Sequence, residues 1–135
     1  KLTADGDEYI YTKNELEAAA ENGAGYEWLC QKNGVSTSPL FENVETAAYD
    51  LASLSLKACV AYSADADAVT FFGITEPYAT LEVTVSSDEG DETCKLVFGD
   101  VYGESDIVAA LNQSHSVTIT DFGNVSEIVS LLKSV

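Results

Sequence analysis

The chain has no arginine and no methionine, and in 135 residues it holds one histidine, two prolines and three cysteines. All six basic residues are lysines, set against 23 aspartates and glutamates for a net charge of −17. Without arginine there is no planar fork to grip phosphates or carboxylates in bidentate fashion. A surface this acidic repels nucleic acid and anionic lipid, since both are bound through phosphate neutralisation. The expectation is no nucleic-acid partner and no binding to an anionic membrane surface. No apolar run reaches the roughly eighteen residues that a membrane-spanning helix needs. The opening, KLTADGDEYI, lacks the basic-then-apolar order of a secretion signal. A start on Lys1 and the absence of methionine lead us to expect a mature or truncated piece of a longer chain.

The cysteines are sparse and far apart. Cys30, Cys59 and Cys94 form no CxxC, and a single histidine does not complete a usual zinc set with them. Each sits among apolar residues, the setting of a small buried hydrophobe, and whether two of them form a disulfide is open at this level. His115 falls in Asn112-Gln113-Ser114-His115, which reads as a turn, with no general-base partner marked in the sequence. The acidic clusters Asp5-Gly6-Asp7-Glu8 and Asp88-Glu89-Gly90-Asp91-Glu92 lack the twelve-position ligand spacing of a calcium loop and read as solvated turns. Trp28 alternates with Tyr26 and Cys30, which places it on a core face rather than on a sugar-stacking platform. No nucleophile with a base and no phosphate loop is present. No catalytic, cofactor-binding or metal-binding residue is assigned, no cofactor is expected, and the chain is not expected to be an enzyme.

With 46% hydrophobic residues, 135 residues suit one domain with a real core. After the Asp5-Gly6-Asp7 turn, residues 8 to 12 read as a strand. Asn14 and Glu17 have the spacing of a capping box, and Ala18 to Ala20 would carry a helix to Gly23. Residues 26 to 30 read as a strand that Asn33-Gly34 and the stretch 36 to 39 break. The strongest helix covers 39 to 57, capped by Ser38, with Pro39 at its first position. Its stripe is Leu40, Val44, Ala47, Ala48, Leu51 and Leu54, while Glu42, Glu45 and Asp50 face outward. Residues 58 to 62 suit a short strand. Residues 63 to 72 suit a short helix with Asp65 and Asp67 in its first turn, ending at Gly73.

From Ala79 the period becomes two. Ala79, Leu81, Val83 and Val85 form one face, and Cys94, Leu96 and Phe98 continue it across an acidic turn at 88 to 91. Strands near 107 to 111 and 116 to 120 extend the meander. Asn124 and Glu127 have capping-box spacing before a last helix with Val125, Ile128, Val129 and Leu132. The expected fold is α+β: an antiparallel meander sheet with helices packed mainly on one face. In it, Leu81, Val83, Leu96 and Phe98 should share a core with Leu51 and Leu54.

Several motifs recur in a telling order. A strand holds Tyr26-Glu27-Trp28-Leu29, and a helix carries a ladder of Val44, Leu51 and Leu54. Phe72-Gly73-Ile74 with Glu76-Pro77 follows, then a hairpin closing on Val97-Phe98-Gly99-Asp100. That order resembles the domain-of-unknown-function family 4340 over residues 8 to 133. The family's signature is tyrosine or phenylalanine, glycine, leucine, two residues and proline, before a hairpin that ends on a hydrophobic-glycine step. Residues 13 to 25 depart from it as a helical insertion. The resemblance implies a bacterial extracytoplasmic domain behind an N-terminal membrane anchor, associated with ABC-type transport systems, and it implies no catalytic or ligand residue.

The resulting expectation is a non-catalytic accessory module that contacts a protein partner in a membrane complex. The alternative is a small-molecule or carbohydrate binder, which would need a concave apolar pocket with a few convergent polar groups.

Overall fold

The computed structural model describes residues 1–19, 21, 23–62, 64–111 and 116–135. In chain order the elements are β1 (Leu2–Ala4), β2 (Asp7–Glu15), β3 (Tyr26–Lys32), β4 (Val35–Thr37), α1 (Phe41–Ala52) and β5 (Ala58–Ala61). Then come α2 (Ala66–Phe71), β6 (Ala79–Ser87), β7 (Gly90–Tyr102), β8 (Asp106–Leu111), β9 (Val117–Asp121) and α3 (Phe122–Lys133). The strands form one antiparallel sheet in the order β4-β3-β2-β1-β6-β7-β8-β9-β5. The fold is α+β.

Two-residue turns set the register of the first meander. Ala4 pairs with Asp7 around Asp5-Gly6, and Lys32 pairs with Val35 around Asn33-Gly34. In both turns the two central residues have positive φ (53° and 82°, then 50° and 80°), which matches the right-handed strand twist and suits aspartate or asparagine before glycine. Asn33-Gly34 is therefore a hairpin turn into β4, where the sequence pattern suggested only a break. Asn33 also ties the two turns together. Its Oδ1 accepts the Glu8 N–H at 2.8 Å, and its Nδ2 donates to the Asp7 carboxylate at 2.8 Å.

Among the described residues of the range 14 to 23 the expected helix does not form. Residues 13 to 15 are the end of β2, each paired with β3, and Leu16 closes the hairpin by donating to the Gly25 carbonyl at 2.9 Å. Asn14 Nδ2 bonds the Glu27 carboxylate, and the Lys13 ammonium lies 3.8 Å from the centre of the Tyr26 ring. Cross-strand partners override a local capping pattern whose alanines had no apolar face to bury. Of the departure read as a helical insertion, residues 13 to 15 are thus hairpin ladder.

Three helix ends also shift. α1 starts at Phe41 behind Leu40 with no side-chain cap, so Ser38 does not cap it, and Leu40 is 63% exposed instead of joining the stripe. α1 ends at Ala52, five residues short of the expected 57. α3 is capped by Asp121, whose carboxylate accepts the Asn124 N–H at 2.9 Å, so Asn124 stands inside the first turn and not at its start.

The core divides at the sheet. On one face Val44 and Ala47 of α1 and Val125, Ile128, Val129 and Leu132 of α3 cover Leu2, Tyr9, Leu81, Phe98 and Ile107. Leu51, Leu54 and Leu96 pack against that cluster, and Val83 lines a groove with Leu51 and Leu81, so the period-two faces meet the helical stripe in the expected register. Thr120, buried there, donates its hydroxyl to the Ser55 carbonyl at 2.7 Å. On the other face Val108, Val117 and Ile119 pack under Val60, Ala64, Phe72 and Ile74, the segment around α2.

Candidate functional site

Two regions bring together residues from distant parts of the chain. The first is built on Gly73 and Gly99. Asp65 caps α2 by accepting the Ala68 N–H at 2.9 Å. The helix stops in a Schellman arrangement, with Gly73 N–H donating to Thr70 and Ile74 N–H to Val69, which requires the positive φ of +75° found at Gly73. The turn then presses on β7. Asp100 N–H donates to the Phe72 carbonyl at 2.9 Å, beside the bulge that shifts β7 against β8 between Phe98 and Val101. A Cβ at Gly99 would lie 2.2 Å from the Phe72 oxygen, and one at Gly73 would lie 2.3 Å from the Asp100 carboxylate. Both glycines are required by contact.

This lock displays aromatic rings. Phe71 and Phe72 stand edge to face at 5.1 Å, and Phe72 is 6.5 Å from Tyr102. Phe72 packs inward, whereas Phe71 is 77% exposed and Tyr102 41%. Beside them, Thr70, Thr75, Glu76 and Asp100 line an open depression. The sequence marked Gly73 and Gly99 but gave no sign that Phe71 and Tyr102 would flank them. Tyr102 lies just past the bulge in β7 and meets Phe72 there.

The second region surrounds Trp28. Its indole N–H donates to Glu45 at 2.7 Å, so Glu45, expected to face outward, is turned in by a partner on β3. The Tyr26 hydroxyl bonds the same carboxylate, which raises the Tyr26 pKa, with burial adding to the effect. Tyr26 also packs against Phe41 at 5.5 Å and edge-on to Trp28 at 6.4 Å. Trp28 is half-buried and stands on the core face as alternation required. Next to it lies a mainly apolar groove of about 160 Å³, lined by Tyr11, Trp28, Val44, Leu51 and Val83 and edged by Lys1 and Glu82. Burial, with Cys30 close by, raises the Tyr11 pKa, and its hydroxyl donates to the Leu132 carbonyl.

The cysteines behave differently from one another. Cys30 is buried, Cys94 half-buried and Cys59 exposed, and all three are free thiols. The expectation of three buried cysteines fails at Cys59, which lies on the edge strand β5. His115 lies outside the described residues. Among the described residues no cluster of three or more histidine, cysteine or acidic side chains is arranged to hold a metal ion. None of their helices is long and apolar enough to cross a membrane. No protein-family model, no curated protein and no solved structure matches this chain.

Proposed function

We propose that this chain is a non-catalytic extracytoplasmic domain, an accessory protein-interaction module of a membrane complex of ABC-transport type, within a longer membrane-anchored chain. The observation that carries the reading is the exposure of Phe71 and Tyr102, each packed against the inward-facing Phe72, on backbone that two glycines hold fast. Large exposed aromatics on a rigid support are what protein contact surfaces offer, because little side-chain entropy is lost when they dock. In this reading the helical layer lies mainly on one face of the sheet, and Phe72 with the two exposed rings around it belongs to the other. A net charge of −17 suits a partner with a basic docking face. The resemblance to family 4340, carried by Phe72-Gly73-Ile74, Glu76-Pro77 and Val97 to Asp100, supplies the extracytoplasmic and transport setting. The alternative of a small-molecule or carbohydrate binder rests on the groove at Trp28. Its volume of about 160 Å³ is below the roughly 300 Å³ at which such sites begin.

Fractionation of cells expressing the full-length protein tests the reading. The protein should be recovered at the outer face of the cell membrane together with transporter subunits. Replacing Phe71 and Tyr102 by serine should cut that recovery at least about tenfold without lowering the melting temperature. Recovery in the cytoplasm would sink the localisation. Turnover of generic ester, phosphate or glycoside substrates, abolished by changing a particular carboxylate, would sink the non-catalytic reading.

A further inference from the structure

The turn between β3 and β4 holds a nucleophile and an electrophile in adjacent residues. Attack of a backbone nitrogen on the side-chain amide carbon of the preceding asparagine closes a succinimide ring and expels ammonia. A glycine nitrogen favours that attack, because no side chain shields it. At Gly34 the nitrogen is open as well. Asn33 and Gly34 are both exposed, and nothing lies within 4 Å of the Cβ position of Gly34. Among the described residues no acceptor takes the Gly34 N–H. Asp5-Gly6 is the matching step of the other turn, but a carboxylate resists attack, and Lys133 holds that of Asp5.

The fold restrains the electrophile. Asn33 Oδ1 accepts the Glu8 N–H at 2.8 Å, Nδ2 donates to the Asp7 carboxylate at 2.8 Å, and the Asn33 N–H donates to the Glu8 carbonyl at 2.8 Å. Both polar atoms of the amide are thus committed to β2. Ring closure turns the amide toward Gly34 and gives up both of its bonds. Reaction therefore requires the turn to open, and its rate follows the population of the opened form.

We infer that Asn33 is a site of spontaneous deamidation, with the Gly34 nitrogen as nucleophile and the amide's bonds to Asp7 and Glu8 as the restraint that sets its rate. The Gly34 N–H loses its proton to solvent, the bond from that nitrogen to Cγ forms, and the Cγ–Nδ2 bond breaks as ammonia leaves. Water then opens the ring at either carbonyl, giving aspartate at position 33 or an isoaspartyl link through the side chain. No oxidant or reductant takes part. The product bears on the fold because a carboxylate has no donor. It faces the Asp7 carboxylate, which Lys32 at 3.1 Å already neutralises, where the Nδ2 bond now stands. The tie between the two turns is lost, and the hairpin that carries β4 is loosened. A slow chemical step in one residue thus becomes a one-way change at the β4 edge of the sheet.

The test incubates the purified chain at mildly alkaline pH, folded and in urea, and follows position 33 by mass-spectrometric peptide mapping. Mapping separates it from the second asparagine–glycine step of the sequence, Asn22-Gly23. Asn33 should show the mass change of amide to acid, at least about tenfold more slowly in the folded chain than in urea. In urea, Gly34→Ala should slow the reaction about tenfold, because its methyl group shields the nitrogen. Asp7→Ala frees Nδ2 and should raise the ratio of folded to urea rates about threefold to tenfold. Lys32→Ala removes the ion pair, keeps both amide bonds, and should change that ratio by less than about twofold. Asn33→Asp reproduces the aspartate product and should lower the urea midpoint. Adding Asp7→Asn to it returns a donor between the two side chains and should restore most of the loss. Equal rates in the folded chain and in urea, an unaltered rate in Gly34→Ala, no effect of Asp7→Ala, acceleration as large in Lys32→Ala, or an Asn33→Asp chain as stable as the parent would each overturn the inference.

Discussion

Asp100 donates its backbone N–H to the carbonyl of Phe72 at 2.9 Å, and this bond joins a helix end to a bulge in a strand nearly thirty residues later. It forms because both neighbouring positions lack a side chain. The carbonyl of Phe72 occupies the space a Cβ on Gly99 would need, and the Asp100 carboxylate occupies that of one on Gly73. Two glycine steps that look like separate turn signals in the sequence are one contact in the fold.

Gly99→Ala should therefore be among the most damaging small substitutions in the chain. At 2.2 Å the obstacle is a backbone oxygen, which cannot swing aside, so we expect a loss of about 2 to 4 kcal/mol in urea unfolding. Gly23→Ala is the comparison. That site has a positive φ, at 81°, which Gly99 does not, but nothing lies near its Cβ, and the cost should stay near 1 kcal/mol. Equal losses at the two sites would mean that the contact with the Phe72 carbonyl adds nothing to the cost at Gly99.

Trp28 and Glu45 form the other long-range tie, from β3 to α1. Trp28→Phe keeps a ring against the core but abandons the bond, and should cost about 1 to 2 kcal/mol. Glu45→Gln keeps an oxygen acceptor and should cost less. A double-mutant cycle between Trp28→Phe and Glu45→Ala should give a coupling of about 1 kcal/mol. Coupling near zero would return Glu45 to the solvent-facing role that its helical position suggests.

The contrast between those sites shows what was legible in the sequence. The hairpin of β6 and β7 could be read because its period of two is long, and a one-residue slip would have exposed Leu81 and Phe98. The stripe of α1 could be read for the same reason. The false helix at 14 to 23 arose because Asn14, Glu17 and three alanines satisfy local rules, whereas the pairing of Lys13 with Trp28 and Glu15 with Tyr26 is invisible without β3. β1 and β4, three residues each, are too short to show a period at all. The candidate sites were hidden more deeply. Phe71 and Tyr102 look unrelated until the fold packs each of them against Phe72.

Asp7 provides a prediction about acid. Its carboxyl is held below its ordinary value first by the Asn33 amide and then by the Lys32 ammonium at 3.1 Å. A depressed pKa contributes stability above the unfolded value, and that contribution disappears as pH falls through the folded value. Asp7→Asn should thus flatten the loss of stability below about pH 4, the range in which aspartate titrates. The urea midpoint measured at pH 6 and pH 3 reads this directly. Lys32, raised chiefly by its bond to Asp7, behaves oppositely: its contribution is complete at neutral pH and fades above its ordinary value of 10.5. An acid limb identical in Asp7→Asn and the parent chain would show that the tie between the two turns carries no linked protons.

Salt decides between two opposing electrostatic effects. Screening weakens the exposed pairs of Lys1 with Glu8, Lys32 with Asp7, Lys57 with Asp106 and Lys133 with Asp5, which contribute little in high dielectric. It also weakens repulsion among 23 acidic residues that six lysines leave far from neutralised. With a net charge of −17 the second effect is larger, because every unpaired carboxylate repels many neighbours within a screening length of about 10 Å at 0.1 M salt. The melting temperature should rise by several degrees, roughly 4 °C for each kcal/mol gained, as sodium chloride goes from 10 to about 300 mM. Millimolar calcium should raise it further by general screening at the acidic turns, with no stoichiometric site. A melting temperature that falls with sodium chloride would give the ion pairs the greater weight. A saturable calorimetric signal for calcium would make the Asp5 to Glu8 or Asp88 to Glu92 turn a ligand set.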